Sequence, residues 1–351
     1  MRTSFSLLVA LLFILNGDGG STAEVTPVTM PKRPCPIPDD IQPCVCVFDE
    51  DLYQLDLDCS AVLDEDDLYK VFQATFPFKV FRKFTIYENS HLNFLPSDVF
   101  GEVQFEEISI TKGVLNEVQN ETFASSYLTA VTIDLSSNHI EYFPFHEVSS
   151  FTLLETLNIG FNNLTSISPM TSPTLKLLYL NHNTLYHIAA NTFVELPSVQ
   201  EIHLAGTQLQ ELKPETFTGL QMLTVINMET NKLRNLAGGT FNLSSVQAAV
   251  SIDLTNNLIN TVNIGAFTGL AEDSVIILYL NEVSLLEEEV WRPVLENNVT
   301  VVLTGNPLDC GCDLEWVVLN QSRWLPYLYG AICYDGITLQ ELDPTFYINY
   351  C

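Results

Sequence analysis

The sequence predicts a curved α/β solenoid, in which one short motif recurs along most of the chain. Three observations carry this prediction. The motif returns at intervals of about 24 residues, a spacing typical of stacked repeat architectures. A phenylalanine returns at a similar place in most repeats, and two sets of four cysteines bracket the whole series. Together they predict a repeat array closed by a covalently linked cap at each end.

The motif has the form L-x-x-L-x-L-x-x-N-x-L. Residues 154–164 (LETLNIGFNNL) and 175–185 (LKLLYLNHNTL) match it at every position. Buried amides need hydrogen-bond partners, so we expect the asparagine to turn inward and bond backbone groups in a ladder. The ladder should weaken where glycine or valine replaces asparagine. Its predicted positions, one for each of ten repeats, are Asn89, Gly113, Asn138, Asn162, Asn183, Thr207, Asn231, Asn257, Val283 and Asn306.

The L-x-L core of each repeat predicts a short strand whose alternate residues point inward. One such strand cannot bury its apolar face alone, but neighbours stacked in parallel can. We therefore predict an α/β-type leucine-rich-repeat solenoid, a horseshoe with about ten parallel strands on its concave face and an irregular convex side. Stacking under the convex wall is expected of Phe100, Phe123, Phe193, Phe217, Phe241 and Phe267. An aromatic cofactor box is the alternative, but equal spacing favours core packing, and we predict no cofactor.

The chain divides into five predicted segments. Residues 1–23 read as a signal peptide, with a short apolar run before the small residues at the predicted cleavage site. Four further segments follow: a linker (24–34), a cysteine-rich N-cap (35–79), the repeats (80–305) and a cysteine-rich C-cap (306–351). No later apolar run reaches the ~18 residues of a spanning helix. We therefore expect a secreted, extracellular protein with no membrane anchor.

The eight cysteines favour disulfides over metal binding. An even set in an exported chain is typical of a disulfide framework, and Cys-x-Cys spacing is closer than most zinc motifs allow. Each cap leaves three pairings open. The two sets are Cys35, Cys44, Cys46 and Cys59, and then Cys310, Cys312, Cys333 and Cys351.

The formal net charge of −29 limits the partners. Such a field repels nucleic acid and anionic lipid headgroups, and it weakly favours basic partners. No catalytic motif with a nucleophile elbow, a phosphate-binding loop or a zinc-binding helix occurs, and the six histidines are scattered. We predict neither catalytic residues nor a metal site. Five glycosylation sequons occur, at Asn120, Asn163, Asn242, Asn298 and Asn320. Asn163 should point outward, whereas Asn298 stands where the repeat is usually apolar.

The concave sheet is the expected binding surface, because its solvent-facing positions alternate with the inward leucines. Tyrosine is enriched at interfaces, and it flanks a polar middle here. The alternative is that these side chains only solvate an exposed sheet. The candidate binding residues are Tyr87, Asp134, Asn158, Tyr179, His203, Asn227, Glu229, Asp253 and Tyr279.

The end segments also resemble known proteins. Residues 306–317 (NPLDCGCDLEWV) are similar to the C-terminal flanking motif of the extracellular leucine-rich-repeat superfamily. That resemblance implies first-to-third and second-to-fourth pairing in each cap, hence Cys35–Cys46, Cys44–Cys59, Cys310–Cys333 and Cys312–Cys351.

A narrower resemblance covers roughly residues 34–351. The segments CPIPDDIQPCVC, LDLDCS, FPFKVFRKFTI and NHIEYFPF resemble crustacean secreted proteins grouped with the non-catalytic subunit of Oplophorus-type luciferin monooxygenase. In that family the repeat chain accompanies a small, separate catalytic chain, and some members come from animals that do not luminesce.

Three functions are therefore compared: an accessory subunit of a secreted, luciferase-like complex, an extracellular recognition or adhesion protein of immunity or matrix, and an enzyme. The missing anchor weighs against a cell-surface receptor, and the missing motifs weigh against an enzyme. The resemblance implies the first function, with a protein as partner.

Overall fold

The computed structural model describes residues 34–244 and 246–351. The predicted signal peptide and nearly all of the predicted linker lie outside the described residues. Pro34–Cys351 form one compact unit.

A 13-stranded sheet runs through this unit. The N-terminal hairpin pairs Val45–Asp49 with Gln54–Asp58 in antiparallel fashion, and every later pairing in the sheet is parallel. Leu328–Tyr329 closes the other edge. The ten strands between them, one from each repeat, are Val80–Tyr87, Gln104–Thr111, Thr132–Asp134, Thr156–Asn158, Leu177–Tyr179, Glu201–His203, Val225–Asn227, Ser251–Asp253, Val275–Ile277 and Thr300–Val302. The predicted solenoid, with its parallel sheet and disulfides at both ends, is confirmed.

Each short strand buries only its middle residue. In Glu201–His203, for example, Ile202 is fully buried while its two neighbours stay half-exposed. Alternate residues of a strand point to opposite faces, so the leucine and isoleucine positions fill the interior and the residues between them face solvent. The core is continuous from Ile41 to Tyr347.

The convex side is irregular, as predicted. It contains three short parallel pairs: Phe94–Leu95 with Glu117–Val118, Asn235–Leu236 with Thr261–Val262, and Phe241–Asn242 with Phe267–Thr268. Two 3₁₀ turns (Ala124–Ser126 and Phe145–Ser150) and one α-helix (Glu288–Leu295) complete it.

The predicted phenylalanines are buried under this wall and stack in two runs. Phe100 stacks on Phe123 with ring centroids 5.9 Å apart. The second run joins four rings at centroid distances of 5.9, 5.6 and 5.2 Å, and Trp291 extends it at 6.1 Å. Its members are Phe193, Phe217, Phe241 and Phe267. The stretch between the two runs includes the buried aliphatic residues Val148 and Met170.

The asparagine ladder crosses the repeats at the strand ends. In a typical step, Asn257 Nδ2 donates to the carbonyls of Met228 and Leu254, both at 3.0 Å, and its Oδ1 accepts the amide of Leu233. The side chain thus serves buried backbone groups of its own repeat and of the preceding one. The Thr207 hydroxyl partly replaces an asparagine by donating to the Leu204 carbonyl at 2.9 Å.

The ladder position predicted at Val283 is wrong. Asn281 fills it: its Nδ2 donates to the carbonyls of Leu254 and Leu278, and its Oδ1 accepts the amide of Ile259 at 3.0 Å. Val283 is instead the buried apolar residue that follows, so the ladder is not weakened there. The run Val275–Leu280 (VIILYL) fits the motif in two registers, two residues apart, and this ambiguity caused the error.

Covalent caps close both ends. The N-cap contains a 3₁₀ turn (Pro38–Asp40) and a helix (Glu65–Phe72), and the C-cap contains Cys312–Leu314, Glu315–Val318, Gln321–Trp324, Leu325–Tyr327, Leu339–Glu341 and Pro344–Tyr350. The disulfides join the pairs that the superfamily resemblance implies: Cys35–Cys46, Cys44–Cys59, Cys310–Cys333 and Cys312–Cys351.

The helices of the described residues are short. None of them is both long and apolar enough to cross a membrane.

Candidate binding surface on the concave sheet

Among the solvent-facing side chains of the sheet, two parallel rows contain the predicted binding residues. The strand register defines a central row of ten residues: Thr85, Ser109, Asp134, Asn158, Tyr179, His203, Asn227, Asp253, Ile277 and Val302. Tyr329 lies beside Val302 and continues this row on the edge strand. A second row contains the residues that follow the central-row residues by two positions. Backbone hydrogen bonds join it from repeat to repeat, and its members are Tyr87, Thr111, Ser136, Gly160, Asn181, Ala205, Glu229, Thr255, Tyr279 and Thr304.

The structure brings the predicted binding residues onto this one face, in both rows. The central row holds Asp134, Asn158, Tyr179, His203, Asn227 and Asp253, and the second row holds Tyr87, Glu229 and Tyr279. With the ladder position at Val283, Tyr279 would continue the central row after Asp253, but Ile277 lies beside Asp253 instead. This difference has the same cause as the error at Val283, because Asn281 fills the ladder position two residues earlier.

The middle of the central row holds an aromatic and acidic cluster. The rings of Tyr179 and His203 stack with centroids 4.5 Å apart, and His203 Nε2 lies 2.9 Å from the Glu201 carboxylate. Burial raises the pKa of Tyr179, and the nearby Glu201 charge raises it further. Beside the cluster, Phe161 stacks on His182 at 4.3 Å. His203 therefore contacts the side chains of both Tyr179 and Glu201 in the structure.

The N-terminal end of the face carries its cations. Arg82 pairs with Asp56, and Lys83 lies 4.0 Å from Glu107. Lys112 Nζ donates to the Tyr87 hydroxyl at 2.7 Å. Hydrogen bonding to the Tyr87 hydroxyl is the main cause that raises the pKa of Lys112. The cations at this end are thus already engaged with neighbouring side chains.

The C-terminal end of the face is apolar, which the sequence analysis missed. Ile277, Val302 and Tyr329 lie side by side on three adjacent strands. Tyr279 and Leu280 adjoin them and are about two-fifths and one-half exposed. The apolar runs of residues 275–280 (VIILYL) and 301–303 (VVL) were the available signal. Patterning alone assigns such apolar runs to the core, so it does not identify Ile277 and Val302 as residues that face outward.

Three carboxylates of the face have no cationic partner among the described residues: Asp134, Glu229 and Asp253. Asp134 and Asp253 each accept a backbone amide two residues further on, from Ser136 and Thr255, both at 2.9 Å. Those bonds orient the carboxylates but leave their charge uncompensated. The face between Asp134 and Tyr329 is therefore acidic and then apolar.

The described residues contain no group of three or more histidine, cysteine or acidic side chains placed to hold a metal ion. What this surface offers is a broad sheet of aromatic, polar and aliphatic contacts. Its aromatic and aliphatic members are of the kinds that contribute contact area at protein interfaces.

The five sequons lie outside both rows. Asn120, Asn163 and Asn320 are exposed, and Asn242 is half-buried. Asn298 is also half-buried; its Oδ1 accepts the Tyr327 hydroxyl at 2.7 Å and its Nδ2 donates to Glu272 at 2.8 Å.

The fold and its ladder define a leucine-rich-repeat protein with disulfide-linked caps. The "Leucine rich repeat" family model matches residues 152–209 and 197–248, and the "BspA type Leucine rich repeat region (6 copies)" model matches 70–173. The chain is 31% identical to the Oplophorus-luciferin 2-monooxygenase non-catalytic subunit of Oplophorus gracilirostris, over 90% of this chain and 88% of that protein. The chain therefore belongs to the leucine-rich-repeat family that includes this subunit.

More distant relatives match part of the chain. Tsukushi from Gallus gallus is 26% identical over 53% of this chain and 51% of its own length. Among solved structures, a complex of Latrophilin 3, Unc5D and FLRT2 (LRR) aligns with a TM-score of 0.64 at 18% identity, over 80% of this chain and 86% of that one. That likeness supports the fold alone.

Proposed function

We propose that this chain is a secreted, non-catalytic leucine-rich-repeat protein that binds and stabilises a smaller protein partner in an extracellular, luciferase-like complex. The observation that carries the proposal is the 31% identity over 90% of the chain to a protein named as a non-catalytic subunit. The match also covers 88% of that relative, so it extends over most of both proteins.

The surface described above supports a binding role. The concave sheet presents two rows of side chains, and its uncompensated carboxylates repel self-association. Four disulfides suit an oxidising, extracellular compartment. The net charge of −29 favours solubility for the chain and for a complex that contains it.

A second candidate is extracellular recognition or adhesion, unrelated to luminescence. A partial match favours it: the chain is 27% identical to Toll-like receptor 3 from Bos taurus, over 57% of this chain and 24% of that protein. This candidate predicts a ligand that is not an enzyme.

Co-expression tests the first proposal against the second. The full chain is secreted with and without the small catalytic chain of an Oplophorus-type monooxygenase, and both are followed by native size-exclusion chromatography and light output with luciferin. We expect a stable complex and a longer soluble lifetime of the catalytic chain. The repeat chain alone should emit no light, with or without added metal. Turnover by the isolated chain would contradict the non-catalytic role, and absence of a complex would favour the second candidate.

A further inference from the structure

The apolar end of the concave face and its acidic neighbours form one continuous surface. We define the apolar patch as Ile277, Val302, Tyr329, Tyr279 and Leu280. Tyr329 is 68% exposed and Leu280 46% exposed, so the patch is open to solvent at the sheet edge. A contiguous exposed apolar patch bordered by polar residues is typical of an interaction site.

An acidic border adjoins this patch on the side toward the middle of the sheet. Asp253 lies one strand from Ile277 in the central row. Glu229 lies two strands from Tyr279 in the second row. Adjacent strands are about 4.8 Å apart, so carboxylates and apolar side chains are separated by roughly 5–10 Å.

The negative charge around the patch indicates what kind of partner can bind there. The two rows contain no Lys or Arg between Asp134 and Tyr329. A second copy of the chain would bring the same border and a net charge of −29 against it, so a complementary partner must be basic. None of the five sequons lies on the patch or its border.

We propose that the apolar patch and its acidic border bind a cationic amphipathic segment of the protein partner. Its apolar side chains pack on Ile277, Val302 and Tyr329, and its Lys or Arg side chains pair with Asp253 and Glu229. A helix places such side chains about 5–6 Å apart at three- and four-residue spacing, which matches the distance between patch and border. The inference rests on the proposed function, because it assumes that the partner is a protein.

Three fluorescein-labelled peptides of about 14 residues, or roughly four helical turns, probe this surface. All three peptides have the same amphipathic pattern of two faces. The first has leucine on one face and lysine on the other, the second has leucine and glutamate, and the third has serine and lysine. Binding to the full secreted chain is measured by fluorescence anisotropy. We expect the leucine–lysine peptide to bind at least about tenfold tighter than either of the others, because only it satisfies both patch and border.

Four variants locate the binding site on the chain. Ile277→Asp and Tyr329→Ser should each weaken the leucine–lysine peptide about tenfold. Asp253→Asn should weaken it a few-fold and reduce its salt dependence. Leu128→Asp is the matched control, since Leu128 is 69% exposed in the segment between strands Gln104–Thr111 and Thr132–Asp134. Tyr329 is exposed enough that its substitution tests binding even if Ile277→Asp is poorly secreted.

Equal affinity for the leucine–lysine and serine–lysine peptides would overturn the proposal, since it would indicate attraction to the net charge alone. Unchanged binding by Tyr329→Ser and Ile277→Asp would also overturn it. The co-expression experiment separates this failure from that of the proposed function. If the catalytic chain associates and Tyr329→Ser does not weaken the complex, only the location is wrong. If peptides bind as expected but no catalytic chain associates, the proposed function fails, and the assignment of this surface as a site for cationic amphipathic segments stands.

Discussion

His203 stacks face to face on Tyr179, with ring centroids 4.5 Å apart and planes 15° from parallel. The two residues belong to adjacent repeats, so the stack ties neighbouring strands together in the middle of the concave face. His203 Nε2 also lies 2.9 Å from the Glu201 carboxylate, on the same strand. A negative charge therefore lies close to a tyrosine that is already partly buried.

This arrangement predicts an alkaline weakening of the fold. Burial, and then the Glu201 charge, raise the pKa of Tyr179 above its ordinary value near 10. The folded state therefore retains the proton at pH values where the unfolded state loses it. The stabilisation is fully present below the unfolded pKa and is lost as pH rises through the folded pKa. Urea unfolding from pH 8 upward should show stability falling above pH ~10.

Two variants test the origin of that decline. Tyr179→Phe removes the titrating group and should make the decline shallower. Glu201→Gln removes the nearby charge and should lower the pKa of Tyr179 in a spectrophotometric titration. An unchanged decline in Tyr179→Phe would assign the alkaline effect to other tyrosines.

Asn281 is the second testable position. Replacing it with alanine leaves the amide of Ile259 buried without its side-chain acceptor, while the carbonyls of Leu254 and Leu278 still accept from Asn257 and Asn306. An unsatisfied buried group costs about 1–3 kcal/mol, so we expect a loss of about that size in the free energy of unfolding. Asn260→Ala, at an exposed position nearby, is the control. A loss no larger than the control's would show that the ladder is dispensable at this repeat.

Gly113 gives a prediction opposite to the one that the repeat motif suggests. The motif has asparagine there, so Gly113→Asn should restore the ladder if the motif alone decided. In the structure, a Cβ at residue 113 would lie 2.8 Å from both Asn138 Oδ1 and the Asn89 carbonyl oxygen. The ladder side chain of the next repeat already occupies this space, and the Asn89 backbone cannot easily move.

We therefore expect Gly113→Asn to lower the melting temperature, by several degrees if overpacking costs about 1–3 kcal/mol. Thr207→Asn is the comparison, because the ladder position there already holds a Cβ; it should cost less. A higher melting temperature for Gly113→Asn would show that the neighbouring repeats relax around the new side chain.

The fold could be predicted from the sequence because each repeat states the same pattern independently. An error in one repeat, such as the choice of Val283 over Asn281, leaves the architecture unchanged. The face was harder to predict. The side chains of Ile277 and Val302 are aliphatic, and sequence patterning assigns aliphatic residues to the core. Only the strand register shows that they continue the row that contains Asp253.

Other features depended on contacts between repeats, which no local pattern contains. The stack of His203 on Tyr179 needs two strands to be in register. The exclusion of a side chain at Gly113 depends on Asn138 in the following repeat and Asn89 in the preceding one. Sequence reasoning identified Gly113 as a position without a ladder side chain. The structure adds that Asn138 and the Asn89 backbone occupy the space where such a side chain would begin.

The C-terminal cap provides the last prediction. Cys312–Cys351 closes a loop with a sequence separation of 39, against 11 for Cys35–Cys46. The loop holds the Pro344–Tyr350 helix, from which Tyr347 is buried and donates its hydroxyl hydrogen to the Cys310 carbonyl at 2.8 Å. Trp316 Nε1 also donates to the Leu286 carbonyl at 2.9 Å, which joins the cap to the repeat that begins with strand Val275–Ile277.

We expect the double variant Cys312→Ser/Cys351→Ser to lose about 2–4 kcal/mol of stability and to be secreted in lower yield. Hydrogen exchange should rise first in residues 344–350 and then in the last repeat, because each repeat contacts only its neighbours. The control is Cys35→Ser/Cys46→Ser, which opens the shorter loop at the other end and should cost less in the loop-entropy account. Exchange that rose equally in all ten repeats would indicate that the caps stabilise the solenoid as one cooperative unit, and it would contradict the local role assigned to this disulfide.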